Sequence, residues 1–358
     1  MLTFQQAKDP QYMAVRARNL TSALLDRKIL TLVIEAASAC NLKCTFCDAH
    51  SGRAPKFREH AGLMKDETWT KIVEDLKVYT AERGPLAMIQ FHGNGEPLLN
   101  KKISGMIRTI KREGFAHKVR IITNGILLNE AKANELIEAG LDEIHISVDT
   151  LDAEKYNAVK VGDYAPRVLD NMRKVIPIIE ARQMTELYIK YFEAESDNSY
   201  GITQADSDSV FNEFAEAARA SNFVHLKQQP LVDVGKGMLD GKDGMVAPCE
   251  IPFYLLYVMH SGKVSACCSD VFNGLTVGHL MEELPPAKKH MGSTILDVVD
   301  SVALYEIRRK HLNGGCNDIR LCAGCGNRTA VDVSQLPDDT RRQLDAAIVP
   351  PSMGIAAE

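Results

Sequence analysis

Short apolar runs and longer amphipathic stretches alternate along the first 230 residues. LTLVIEAA (30–37) is rich in strand-forming residues and stops just before Cys40. From about Asp66 to Thr80, Trp69, Ile72, Val73 and Leu76 recur at three- and four-residue steps, which predicts a helix. Further strands are predicted at LAMIQF (86–91), KVRIIT (118–123), EIHISV (143–148), ELYIKYF (186–192) and FVHLKQ (223–228). Helical patterns fall between them, near 101–113, 129–139, through about Ala181, and near 207–220. Strands alternating with helices predict an α/β fold with a parallel sheet and helices outside it. The count of six fits a partial (β/α)6 barrel, although periodicity alone leaves a flat doubly wound sheet open. In either architecture ligands collect at the carboxyl ends of the strands. The cysteine run CNLKCTFC (40–47), HGNGEP (92–97), TNG (123–125) and SVDT (147–150) all fall at that edge.

Beyond residue 233 the texture changes. VGKGMLDGKDGM (234–245) reads as a Gly-rich connector. YLLYVMHSGKVSACC (254–268) reads as a hairpin turning at His260, Ser261 and Gly262. One helix is expected around 296–312, and a charged one at DDTRRQLDAA. These patterns divide the chain into an N-terminal extension (1–29), a barrel (30–233), a smaller cysteine-rich domain (234–330) and a tail (331–358). With 42 basic against 47 acidic residues the formal charge is −5, which gives no nucleic-acid or acidic-membrane footprint. No apolar run approaches the ~20 residues that span a bilayer. The first twenty residues lack the pattern of a secretory signal. A cytoplasmic protein is expected.

Nine cysteines in such a chain, an odd count, argue against a disulfide framework. They fall into two groups: Cys40, Cys44 and Cys47, then Cys249, Cys267, Cys268, Cys316, Cys322 and Cys325. Soft thiolates in close spacing suit zinc or iron–sulfur clusters. In the first group His50 could complete a Cys3His zinc site. Alternatively, three cysteines hold a cubane [4Fe–4S] cluster with one iron left open.

CNLKCTFC, with Phe46 before its third cysteine, resembles the signature loop of the radical S-adenosylmethionine (radical SAM) enzymes, over roughly residues 30 to 230. The resemblance implies that Cys40, Cys44 and Cys47 hold a [4Fe–4S] cluster whose open iron is chelated by SAM. Reductive cleavage of SAM would then give a 5′-deoxyadenosyl radical. Gly93, Asn94, Gly95 and Glu96 are similar to the family's Gly-Gly-Glu element, which implies a contact to the SAM amino group; Asn94 separates the two glycines. Thr123, Asn124, Ser147 and Asp149 match positions that imply contacts to the ribose or carboxylate, and Lys190 could reach the carboxylate. Helix capping is the competing role for Asn124, Ser147 and Asp149, and a solvated or salt-bridged side chain for Lys190.

Seventeen residues separate Cys249 from Cys267, and Cys322 and Cys325 form a C-x2-C pair. Taken alone, this suits a zinc ribbon as well as a cluster. Behind a radical SAM core it resembles the twitch domain, a shortened SPASM domain, which implies one auxiliary [4Fe–4S] cluster on Cys249, Cys267, Cys322 and Cys325. Cys268 and Cys316 are left over, as packing thiols, as candidate hydrogen-atom donors, or in the case of Cys316 as a ligand. The resemblance is to twitch enzymes that oxidise aminocyclitols or sugars. It implies a small polyol, aminocyclitol or nucleoside-sugar substrate, oxidised or epimerised, with an electron donor such as flavodoxin or ferredoxin. Maturation of a ribosomally made peptide is the alternative; the 39 residues before Cys40 are expected to be too few for a leader-binding domain, which a separate partner protein could supply. A zinc-stabilised binding protein is the distant one.

Overall fold

The computed structural model describes residues 27–193 (less 53, 55, 56 and 58), 203–230, 249–325 (less 324) and 338–350. The connector at 234–245 and most of the tail lie outside the described residues. The strands are β1 (Thr31–Ile34), β2 (Leu86–Phe91), β3 (Ala116–Thr123), β4 (Glu143–Ser147), β5 (Glu186–Glu193) and β6 (Val224–Pro230). They are followed by β7 (Leu255–Val258), β8 (Lys263–Ser265) and β9 (Thr276–His279). Contacts gather the described residues into two compact units, one of 36–63 and 88–230, the other of 27–35, 64–87 and 249–350.

In the first unit the strands lie in the order β2-β3-β4-β5-β6. β3 to β6 pair in parallel, with Ile121 beside Ile144, Ile144 beside Leu187, and Ile189 beside Leu226. These apolar positions are buried because the connecting helices, Ile103–Glu113, Glu130–Glu138, Ala153–Lys160, Ala165–Arg182 and Gln204–Ala220, turn their own apolar positions inward. Ile103, Met106, Ile107 and Ile110 of the first of these are all buried, at the spacing of one helix face. The array is an open α/β sheet of parallel strands, the partial barrel that the alternation predicts.

The second unit carries the order β1-β7-β8-β9. β1 pairs in parallel with β7, and all four of its residues are buried. β7, β8 and β9 run antiparallel, so the hairpin predicted at 254–268 is present. Gly262 forms its turn at φ +89°, a left-handed conformation that favours glycine. The single helix expected at 296–312 is two, Ile295–Val299 and Val302–Leu312. Ser301 breaks it, because its hydroxyl accepts from Leu304 N at 3.1 Å and caps the second helix. Asp300 beside it is held by Arg83 at 2.8 Å.

Candidate active site

In the first unit the signature loop is clamped from three sides. Glu96 N donates to Ala39 O at 2.9 Å, and Asn100 Nδ2 donates to Ala36 O at 2.9 Å. The turn after β2 thereby grips the chain entering the loop. A Cβ on Gly95 would lie 2.4 Å from the carbonyl oxygens of Ala37 and Ala39, so only glycine allows this approach. From the end of β3, Asn124 Nδ2 donates to Asn41 Oδ1 at 2.8 Å. The third clamp is the end of helix Ala153–Lys160, where Val161 turns left-handed at φ 58°. Its last carbonyls have no partner within the helix. Thr45 N fills Val159 O at 2.9 Å and Lys43 N fills Lys160 O at 3.4 Å.

The thiols of Cys40, Cys44 and Cys47 are partly buried, and burial pushes all three up, Cys40 to about 12. They lie close enough that Cys44 and Cys47 both raise Cys40. Opposing this, Leu42 N–H points at Cys40, and the N–H groups of His50 and Ala49 point at Cys47. A positively charged iron centre would reverse the cost of burying three thiolates. His50 Nε2 lies 3.0 Å from Ser38 O, to which it donates, so that nitrogen has no lone pair for zinc. Among the described residues no three His, Cys, Asp or Glu side chains already stand in metal-holding geometry. The donor set fits a cluster by its chemistry and placement.

Glu96 is buried, with both oxygens engaged inside the protein. It accepts from Thr123 Oγ1 at 2.7 Å, Asn124 N at 2.9 Å and Leu98 N at 3.0 Å. Burial raises its carboxyl, while these donors and Lys160 lower it. It ties the β2 turn to the end of β3. Gly93 and Asn94 are partly exposed beside it, as is Ser147 at the end of β4. Neither Asn124 nor Asp149 caps the helix that follows. Asn129 caps Glu130–Glu138 and Asp152 caps Ala153–Lys160. Asn124 Oδ1 instead accepts from Ile126 N at 3.1 Å, a local turn.

Asp149 pairs with Lys160, Oδ2 to Nζ 2.6 Å, with both residues buried. Lys160 was not singled out by sequence reasoning. Its ammonium lies 5.1 Å from the centre of the Phe46 ring and 6.0 Å from that of Tyr156. Burial pushes Lys160 down, but Asp149 and then Cys44 outweigh it and hold it above its ordinary range. A buried cation therefore sits against the signature loop. Lys190 is half-buried, opposite Ser147 on β4 and Lys227 on β6. Burial first, then Lys227 and Arg120, lower its ammonium to about 8. His92 is lowered to about 3 by burial, then by Lys190 and Arg120, so this part of the unit is polar and basic.

The later cysteines gather within the second unit. Asp270, fully buried, accepts from Ser265 Oγ, Gly274 N and Leu275 N at 2.7–2.9 Å and so shapes the loop carrying Cys267 and Cys268. Cys267 is pushed up by its contact with Cys268, by burial, and by Cys249. Cys322 is pushed up by burial, then by Cys249, Cys325 and Cys316. Cys249 is thus near both Cys267 and Cys322. Cys268 packs beside Val33, Tyr257 and their apolar neighbours. Cys316 is wholly buried near Cys322, a placement that suits a ligand or packing thiol better than a donor reaching a substrate. His311, also missed from sequence, is buried and touches both Cys249 N and Cys322 Sγ. Burial holds it down to about 4. Among the described residues no helix is long and apolar enough to cross a membrane.

Residues 34–185 match the model of the radical SAM superfamily. The chain is 35% identical over 156 residues to a GTP 3',8-cyclase of Peptoclostridium acidaminophilum, covering 43% of this chain and 45% of that one. It is 36% identical over 136 residues to the tungsten-containing aldehyde ferredoxin oxidoreductase cofactor-modifying protein of Pyrococcus furiosus, covering 37% and 33%. The chain thus spans less than half the length of these two relatives. The crystal structure of BtrN in complex with AdoMet and 2-DOIA shares the fold, with a TM-score of 0.53 at 20% identity over 85% of this chain and 96% of that one. Members of the family use SAM and a [4Fe–4S] cluster. With its cysteine loop clamped at the carboxyl ends of parallel strands, the stretch 34–185 is a radical SAM domain.

Proposed function

We propose that this chain cleaves SAM reductively and takes a hydrogen atom from a small polyol, aminocyclitol or nucleoside-sugar substrate, ending in oxidation or epimerisation. The observation that carries the reading is the second gathering of thiols, Cys249, Cys267, Cys316, Cys322 and Cys325, behind the radical SAM domain. When bound, the first cluster and SAM supply the 5′-deoxyadenosyl radical, and an auxiliary [4Fe–4S] cluster supplies an acceptor for the electron that oxidation releases. Cys40, Cys44 and Cys47 would hold the first; Cys249, Cys267, Cys322 and Cys325 the second. Glu96 acts from within, fixing the β2 turn and Asn124 against the loop. Lys160 places a positive charge beside Cys44 and stacks on Phe46. Ser147 and Asn124, partly exposed at the strand ends, offer small polar groups to a ribose or an amino-acid moiety. The basic groups Lys190 and Lys227 favour a polar or anionic substrate over an apolar peptide side chain.

A second reading has its own support: the relatives named GTP 3',8-cyclase favour a purine nucleotide, cyclised rather than oxidised. One experiment decides between them. The protein is reconstituted anaerobically with iron and sulfide, then given SAM and a reductant, flavodoxin or dithionite. Polyols, aminocyclitols, GTP and peptides are tested for substrate-dependent 5′-deoxyadenosine, and the products identified. Cys40→Ala, Cys44→Ala and Cys47→Ala together should abolish SAM cleavage while about four of about eight irons remain. Deoxyadenosine from that triple variant would sink the proposal.

A further inference from the structure

We infer that His311 donates a hydrogen bond to the sulfur of Cys322 and is a positioning residue of the auxiliary site, an inference that rests on the reading of Cys322 as a cluster ligand. His311 lies in the last turn of helix Val302–Leu312 and is 1% exposed. Cys249 N points at its Nδ1, at 2.9 Å. A backbone N–H can only donate, so Nδ1 must present its lone pair. That excludes the doubly protonated ring and puts the single proton of the neutral ring on Nε2. Nε2 lies 3.7 Å from Cys322 Sγ, within reach of an N–H···S bond.

The same reasoning separates two roles that the distance alone would not. A histidine that ligates through Nε2 needs a lone pair there and a proton on Nδ1. Here the amide of Cys249 has claimed Nδ1 as acceptor, so Nε2 carries hydrogen and faces sulfur as a donor. His311 is therefore not a further candidate ligand. It bridges two cysteine-bearing segments, accepting from the backbone of one and donating to the thiol of the other. A donor aimed at a thiolate withdraws charge from it, which stabilises the bound form and makes a cluster there easier to reduce.

Two substitutions divide the ring's two bonds. His311→Asn keeps an acceptor near the Nδ1 position and loses the donor to sulfur. His311→Gln places an amide N–H near the Nε2 position. Both are made in the full-length chain with Cys40, Cys44 and Cys47 replaced by alanine, so that only the second thiol set can bind metal. Co(II) is titrated into the metal-free protein and followed by thiolate-to-cobalt absorption. Affinity should fall about 10–100-fold in His311→Asn, as for other ligand-supporting residues, and stay within a few-fold of the parent in His311→Gln. In iron-reconstituted protein, the reduction potential of the remaining cluster should become more negative in His311→Asn alone. Unchanged cobalt affinity and potential in His311→Asn, or equal losses in both variants, would overturn the inference. A parent that takes up no cobalt and no iron through these thiols would overturn both it and the auxiliary-cluster reading.

Discussion

Lys160 shows what single residues decide in this site. A lysine within VKVG (159–162) looks like an ordinary solvated side chain, because lysine is almost never fully buried without a partner. Its partner, Asp149, is eleven residues back on the far side of a helix, and only folding brings the two to 2.6 Å. Lys160→Met leaves that carboxylate buried without its counter-ion and should destabilise the chain by about 3–5 kcal/mol. Lys160→Met with Asp149→Asn should recover most of the loss. The sign of any pH effect follows from the raised ammonium. A lysine whose folded value is raised contributes stability that is full below its unfolded value of about 10.4 and is lost only above it. The penalty in urea unfolding should therefore be flat from about pH 6 to 9. A variant as stable as the parent, or a double variant no better than the single, would refute the pairing. The cysteines were legible because their spacing is itself the signal. Lys160 and His311 were not, since each takes its meaning from a partner in another element.

At the scale of elements, the apolar runs were strong predictors because each strand is buried on at least one face. LAMIQF coincides with β2, and the other five central strands differ from expectation by a few residues at their ends. The helix break at Asp300-Ser301 was readable in principle, since serine before an amphipathic run is a capping signal. The continuing apolar spacing on both sides obscured it. HGNGEP was legible as a turn, but not as a clamp. Its tight approach depends on Gly95 facing carbonyls of the chain entering the cysteine loop. Gly95→Ala must push two backbone segments apart, and neither can yield as a flexible side chain would. That substitution should cost about 1–3 kcal/mol, the range for overpacking, and displace the loop relative to Glu96. Iron at the first site should fall in parallel, while iron at the second thiol set is retained. Equal iron losses at both sites would mean that the glycine acts through global folding instead.

At the scale of the molecule, each thiol set is complete within its own unit: Cys40, Cys44 and Cys47 in one, the later six in the other. Sequence could show two groups, because clustering along the chain is visible. It could not show that β1 pairs in parallel with β7, whose residues lie more than two hundred positions away and whose pattern resembles any short buried strand. Sets housed separately should be separable in function. Removing ligands of the later set, with Cys249→Ala and Cys322→Ala together, leaves every clamp on the first loop in place. SAM cleavage should therefore persist. What should be lost is the outlet for the substrate's electron, so deoxyadenosine forms without a matching amount of oxidised product. In heavy water the uncoupled enzyme should return deuterium-labelled substrate or its epimer, the reductant supplying the electron and the solvent the deuteron that quench the substrate radical. The ratio of deoxyadenosine to oxidised product, measured beside the parent, tests this directly. If it stays at the parent's value, the later cysteines take no part in the chemistry, and the oxidative reading gives way to one in which they only hold the second unit together.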